Sequence, residues 1–519
     1  MVAVGTALSR ITGLARVAVF AVVIGRDALA DTYLIANELP NIVYELVIGG
    51  ALSAALIPLF TTFHEQRDEE AANVVITAVL IALGALTLLA VLGAPLIFRL
   101  YTLDPAAGVD VGALRSVGST LTRVFVLQIF FYGLTALCTA VLHTRRRFFA
   151  AAWVPILPNL AIIVSFVSLA DPTDGSWGLD DAVTNSRLLW TLALGTTIGI
   201  ALMGLVLVPA VRGSGLRYRP RLALRHPAVR RLLVLSGWTL GYVIANQVSV
   251  LVIRNLARPG SGDAAAYILG YTFFVLPHGL LAMSIATTFG PEMARAVARK
   301  DRAAFVDRAS LGIRLITFLT LPAAMGLFVL RRPIVGLLTQ YGAFDAGDAD
   351  ATARAIGGLA LGLTGFSVYL FVLRAFYAHH DTRTPFVVNV VENVLNIVLA
   401  VLLVDRFGVL GLGVAFAVAY LVSALWVLHV LATKVRTFPA RAILASVWRM
   451  LVAVVLAGEV MWLVGTSVGA NQGLDAAVRL AAAGAVGVAV YLVVLVVLGS
   501  PELRAVRARL PGSRRMTVL

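Results

Sequence analysis

Cysteine occurs once, at Cys138, and lysine twice, at Lys300 and Lys434. One cysteine excludes an internal disulfide and any cysteine-based metal site. Neither lysine follows a glycine, so no G-x-x-x-x-G-K-[ST] loop exists and a Walker-type ATP site is excluded. His64-Glu65 has no second histidine completing H-E-x-x-H, and His379-His380 flank a loop, where positioning it is their expected role; no metal is expected. Charge is the largest deficit: 13% of the 519 residues, against about 25% in soluble domains. Water-facing surfaces for two or three soluble domains cannot be built from so few charges. What is present is apolar: 60% hydrophobic residues and a mean hydropathy of +0.92. The chain reads as an all-α polytopic membrane protein.

A helix needs about 20 apolar residues to cross the hydrocarbon. Fourteen candidate spans are predicted, near 2–25, 32–62, 72–100, 117–142, 149–170, 187–211, 230–257, 265–292, 305–330, 353–378, 385–404, 409–433, 443–467 and 476–498. The first carries Arg10 and Arg16 within its apolar run and lacks a basic leader, so it is expected to be a span rather than a signal peptide. The chain opens almost inside this helix, and a few leading residues are expected to be missing. The net charge of +15 would suggest nucleic acid in a soluble protein, but here the placement of the arginines decides. Basic linkers (Arg145 to Arg147, Arg212 to Arg231, Arg295 to Arg302, Lys434 to Arg441 and a tail from Arg504 to Arg515) alternate with acidic ones (Asp104 and Asp110, Asp171 to Asp181, Asp345 to Asp350, Asp475). Basic loops stay in the cytoplasm. Both termini are therefore expected inside, consistent with an even number of spans; the segment 64–70 alone departs from the pattern.

A shift of 237 residues superposes Leu39-Pro40 on Leu276-Pro277, Tyr132 on Tyr369, His143 on His380, Arg146 on Arg383, Phe149 on Phe386 and Asn159 on Asn396. Six spans separate equivalent helices, so the copies are parallel. Such repeats characterise alternating-access carriers with the substrate at the midplane. The expected organisation is a six-helix lobe over 1–211, a second over 230–433, two additional helices over 443–498 and a basic cytoplasmic tail over 499–519.

An ionisable residue inside a span costs about 2.5–3.5 kcal/mol on insertion scales and marks function by default. Arg10 and Arg16 lie about 120° apart around their helix and about 9 Å apart along it, so both can border one cavity. Glu38 and Glu45 share one face of the second span within about 20°. Arg254 falls near the end of the seventh. A guanidinium stays charged and matches a phosphate with its planar fork, which makes Arg10, Arg16 and Arg254 candidates for anion recognition. The alternative is an intramembrane ion pair, for instance Arg10 or Arg16 with Glu38 or Glu45. The glutamates can equally serve proton or cation coupling. Arg123, Arg314 and Arg374 read as snorkelling or interfacial, and Glu392 and Glu459 carry no assignment. Pro40 and Pro277, with Pro58 and Pro291, punctuate spans two and eight, where kinks suit gating or simple packing. Gly49-Gly50 and Gly358…Gly362 allow close helix approach.

The stretch Ser9-Arg10-Ile11-Thr12-Gly13-Leu14-Ala15-Arg16 resembles the S-R-x-x-G-x-x-R opening of the lipid II flippases, called MurJ or MviN, within the MOP exporter superfamily. So do Ala30-Asp31-Thr32-Tyr33, Glu38-Leu39-Pro40-Asn41 and Gly49-Gly50-Ala51-Leu52-Ser53. Arg374-Ala375-Phe376-Tyr377-Ala378 with Thr384-Pro385 is similar to that family's R-x-F-Y-A…T-P signature. The resemblance implies fourteen spans, a central cavity taking a diphosphate, and a groove for the polyprenyl tail on the last two helices. It implies roles for Arg10, Arg16 and Asp31. The family's arginines of spans two and eight fall on Tyr44 and Thr272, and Glu38 replaces a common lysine, so a less basic cavity is expected, with Arg254 compensating. The function implied is translocation of lipid II, the undecaprenyl-diphosphate-linked peptidoglycan precursor, to the outer leaflet of a bacterial plasma membrane, without catalysis. The alternatives are export of another polyprenyl-linked oligosaccharide or of a cationic drug by a related fold, and a polytopic glycosyltransferase. No cofactor is expected; coupling to the membrane potential or to an unspecified ion is. Expected partners are lipid II, membrane lipids and cell-wall synthesis or division proteins, with no nucleic acid.

Overall fold

The computed structural model describes residues 2–38, 40–41, 51–170, 177–216, 218–223, 226–435 and 437–503. Every regular element among the described residues is helical. In chain order these are α1 (Val2–Ile24), α2 (Ala28–Ala36), α3 (Ala51–Glu65), α4 (Glu69–Leu100), α5 (Val111–Phe125), α6 (Gln128–Thr144), α7 (Phe149–Trp153), α8 (Ile156–Val167), α9 (Leu179–Thr184), α10 (Ser186–Arg212) and α11 (Pro227–Leu256). There follow α12 (Asp263–Pro277), a π-helical turn over His278–Ala282, α13 (Met283–Ala298), α14 (Arg302–Val329), α15 (Arg331–Leu338), α16 (Ala346–Ala360), α17 (Leu363–Ala378), α18 (Arg383–Phe407), α19 (Val409–Lys434), α20 (Ala440–Ser467) and α21 (Gly473–Val497). Several of the scarce acids sit at helix starts, where a carboxylate satisfies orphan N–H groups. Asp27 accepts from Leu29 and Ala30, Asp68 from Ala71, Asp110 from Gly112 and Ala113, and Asp301 from Ala304.

Among the described residues, eleven helices are long and apolar enough to cross a membrane, or twelve when α16 and α17, bent by 48°, count as one broken span. The fourteen spans expected from sequence are thus not reproduced in number. Those near 32–62 and 230–257 are not among the eleven or twelve: the first is interrupted by residues outside the described set, and the second is α11. Leu88, Leu89, Leu92 and Leu96 of α4 are exposed, as expected of a surface that faces lipid rather than water.

The chain divides into two compact units. The first comprises 1–265 with 341–345 and therefore includes α11. Its core joins Leu56, Phe60, Val75, Leu137 and Val141 of α3, α4 and α6, beside a cluster of Tyr132, Met203 and Leu207. The second comprises 266–340 with 346–519. Here α16 lies against α19 at van der Waals contact: a Cβ on Gly358 would meet Leu410 O at 2.7 Å, and one on Gly362 would meet Ala417 Cα at 2.6 Å. The glycine spacing thus works as small-residue packing between membrane helices. Phe318, Met450, Val454, Tyr491 and Leu495 bind α14 to α20 and α21.

Backbone landmarks recur along the chain. Left-handed turn residues occur at Arg67 and Lys300, 233 apart, and at Gly108 and Gly342, and Arg146 and His380, each 234 apart. The interrupted pair α5–α6 recurs as α16–α17, the starts Val111 and Ala346, and Gln128 and Leu363, being 235 apart. These separations differ from the sequence register of 237 by two to four residues.

Candidate functional site

In the first unit, α1 presents the two arginines differently. Asn159 of α8 donates to Ser9 O (3.1 Å) and Thr12 Oγ1 (3.0 Å). With 100° per residue, Ser9, Thr12 and Arg16 lie within about 60° of one another, so Arg16 shares the face that Asn159 orients. Arg16 is half-buried and Arg10 exposed, and neither makes an ion pair among the described residues. Of the two, Arg16 is the better placed to hold an anion while partly shielded from solvent.

Arg254 is buried, 6% exposed, at the end of α11. Its Nη2 lies 3.1 Å from Glu38 Oε2 and 3.3 Å from Oε1, and its Nε lies 3.3 Å from Oε2. The guanidinium fork is thus filled by a carboxylate of its own chain, and the pair is neutral. The intramembrane pair that was the alternative to anion recognition exists, but Glu38 makes it with Arg254 and not with Arg10 or Arg16. A phosphate would have to displace Glu38 to reach that fork.

Asp31 is fully buried, and its oxygens meet backbone donors: Gly260 N–H (2.8 Å), Gly262 N–H (2.9 Å) and Ala265 N–H (2.6 Å). Gly260 (φ +97°) and Gly262 (φ +81°) shape this turn, and a Cβ on Gly262 would lie 2.5 Å from Arg26 O. Arg26 also donates to Asp263 at 3.1 Å. In this geometry Asp31 clamps the α11–α12 turn, with the positive end of α12 adding to its hold. Three backbone bonds thus occupy its two oxygens.

Pro40 is buried and helical; Tyr44 and Glu45 lie outside the described residues. Thr272 is half-buried and donates to Ile268 O (3.0 Å) within α12. Pro277 ends α12 and the π-helical turn follows, with buried His278 bonded through Nδ1 to Ser367 Oγ at 2.9 Å. π turns inside helices mark functional sites often enough to make this a natural hinge. Arg374 is half-buried against Ala286 O (3.3 Å) and Met283 Sδ (3.5 Å), Arg314 lies 3.5 Å from buried Glu502, and Arg123 is exposed. Among the described residues no group of three or more His, Cys, Asp or Glu could hold a metal.

Sequence reasoning missed the Asn159 bridge and the short Tyr33–Thr196 contact (2.5 Å), both polar links across the first unit. Asn159 was visible only as a member of the repeat. Its partners lie 147 and 150 residues away, a distance no periodicity encodes.

The family model described as lipid II flippase MurJ matches residues 20–477. A protein of Burkholderia cenocepacia named lipid II flippase MurJ is 30% identical over 385 residues, covering 73% of this chain and 72% of that one. A probable lipid II flippase MurJ of Vibrio cholerae is 28% identical, covering 95% and 94%. Among solved structures, a lipid II flippase MurJ in an inward closed conformation has a TM-score of 0.76 at 22% identity, covering 96% of this chain and 98% of that chain. An inward-facing multidrug resistance MATE transporter of the MOP superfamily has a TM-score of 0.66 at 14% identity, covering 83% and 95%.

Proposed function

The chain belongs to the MurJ family of lipid II flippases, and we propose that it carries lipid II from the cytoplasmic to the outer leaflet by alternating access. It is a multi-span membrane protein and a transporter, not a catalyst. Its place is a bacterial plasma membrane, with both termini cytoplasmic. The family match over 20–477 carries this reading, and the arginine arrangement supplies its chemistry.

A diphosphate needs cationic partners that bind it without trapping it. Arg16, partly shielded and without an acidic partner among the described residues, offers a guanidinium for the first contact. Arg254 offers a second one already occupied by Glu38, so its use requires exchange of one anion for another. That exchange weakens net binding and favours release, which a carrier needs as much as capture. Binding energy alone does not move the load outward. With the inside negative, each uncompensated negative charge moved out gains roughly 2.3 kcal/mol per 100 mV, which fits a chain without a Walker site.

The test is leaflet accessibility of labelled lipid II in liposomes carrying the purified protein. A flippase exposes inner-leaflet lipid to an external reagent and leaves its mass unchanged. A glycosyltransferase would change the mass, and another exporter would leave lipid II where it started.

A further inference from the structure

The second unit holds a buried carboxyl group that the arginine chemistry does not use. α18 is an apolar span whose polarity points inward. Val387, Val391, Val394, Val398 and Leu402 are exposed along one side, while Asn389, Glu392, Asn393 and Asn396 are buried on the other. The four polar positions follow i, i+3, i+4, i+7 spacing and so make one stripe. Glu392 is 1% exposed, and neither of its oxygens has a hydrogen-bond partner among the described residues.

Among the described residues, the neighbouring spans supply no charge to it. α17 and α18 are consecutive, and Tyr369 and Glu392 are each nine residues from the ends that face their connection, so they stand at one height. On α19, the residue as far beyond Gly408 as Glu392 is before it is Ala424, one turn from Tyr420. Tyr369 and Tyr420 are buried, with ring centroids 5.4 Å apart, and both are uncharged phenols. The other titratable groups of these two helices are engaged or exposed elsewhere. Lys434 pairs with Asp381, Arg374 bonds Ala286 and Met283, and Tyr377 and His429 are exposed.

An ionised carboxylate sealed from water without a cation or donor is costly by many kcal/mol, whereas the neutral acid is comparable to any other buried polar group. As a structural element Glu392 is poor: an apolar residue of its size would pack there without that penalty. A metal cation needs several oxygens converging from more than one carboxylate or carbonyl source, and among the described residues no group of three or more His, Cys, Asp or Glu could hold one. The three asparagines provide amides that can solvate the carboxylate once water enters, and Asn393 is already held by its Nδ2 to Asn389 O (2.8 Å).

We propose that Glu392 is a proton-binding site on the inward stripe of α18, holding its proton in this arrangement and losing it to water when the stripe is hydrated during the carrier's cycle. On release the O–H bond breaks, the electron pair stays on the carboxylate, and water takes the proton; reclosure takes one back. This deepens the transport reading by naming the proton as the coupled ion, and its structural half stands without lipid II.

The experiment uses the full chain as wild type, Glu392→Gln and Glu392→Asp. Glutamine has the shape of the neutral acid and cannot ionise; aspartate keeps the titration. In detergent at constant salt, the melting temperature of wild type should fall from acid to alkaline pH relative to Glu392→Gln, and Glu392→Asp should restore that fall. Identical pH profiles for wild type and Glu392→Gln would overturn the proposal. So would a melting temperature raised by sodium at fixed pH in wild type only, which assigns a metal cation instead. In proteoliposomes with a trapped pH dye, lipid II movement by wild type should be accompanied by a proton signal that Glu392→Gln loses. A flippase that moves lipid II with no such signal refutes the coupling. A pH-dependent stability with no lipid II movement leaves the proton site standing and refutes the substrate reading.

Discussion

Removing either partner of the Arg254–Glu38 pair strands a charge in a poorly hydrated place. Breaking a buried pair by deleting one member costs about 3–5 kcal/mol. The two side chains differ: Arg254 is 7% exposed and Glu38 19%. Arg254→Ala leaves Glu38 with some access to water, so about 3 kcal/mol is expected, the low end of that range. Glu38→Ala strands the more buried guanidinium and is expected nearer about 4 kcal/mol. The double variant removes both charges and should be less harmful than the sum, with a coupling of about 2–3 kcal/mol, at the upper end of that for residues in direct contact. Equilibrium unfolding in mixed micelles of the four proteins measures the cycle. Additivity within about 0.5 kcal/mol would refute the pair as a unit. Transport adds a second, opposite expectation: Glu38→Gln empties the fork while keeping the shape, so the diphosphate should bind more tightly and turn over more slowly. Weaker lipid II binding by Glu38→Gln would show that Glu38 does not compete with the substrate.

Arg16→Ala should abolish lipid II movement while membrane insertion remains intact, since the span loses a costly charge; normal flipping by that variant removes Arg16 from the site. Asp31→Asn exchanges a carboxylate for an amide with one acceptor oxygen against three backbone donors. A loss of about 1–3 kcal/mol is expected, seen as faster hydrogen exchange at the Gly260, Gly262 and Ala265 amides, and unchanged exchange there counts against the clamp. Asp381, in the loop between α17 and α18, is subject to burial, which raises its pKa, but the hydrogen bond from Lys434 and those from Thr384 prevail and hold it lowered from 3.8 to about 2. A depressed acid stabilises the fold above its unfolded value and loses that contribution as pH falls through the folded one. The stability difference between wild type and Asp381→Asn should therefore shrink between pH 3.8 and about 2 and stay level above; a difference that is flat throughout would reject the Lys434 contact.

The class of fold was legible because hydrocarbon imposes a simple demand, long apolar runs with few charges, and residues such as Leu88 to Leu96 satisfy it without reference to partners. The identities of the intramembrane charges were legible for the same reason. Their pairings were not. Glu38 lies 28 residues from Arg10 and 216 from Arg254, and helical periodicity gives no preference between them; packing brings Arg254 to it. The interruption between α16 and α17 was also hidden, because no proline stands at Leu361-Gly362 to announce it. Pro277 did announce an irregularity, which proves to be a π-helical turn. Glu392 was visible as a charge in a span, but its isolation is a property of what surrounds it.

The grip of Asp31 on main-chain amides has a bearing on how the protein tolerates change. Because nothing in that contact depends on side chains beyond the aspartate, the bond itself tolerates any residue at 265 but proline, which would cut it; Ala265 is fully buried, however, so only small residues fit there. Gly260 and Gly262 have no such liberty, being fixed by their positive φ. Mutational drift in this turn should leave a recognisable imprint: two immovable glycines and a neighbour kept small by its surroundings, all answering to one acid more than two hundred residues upstream.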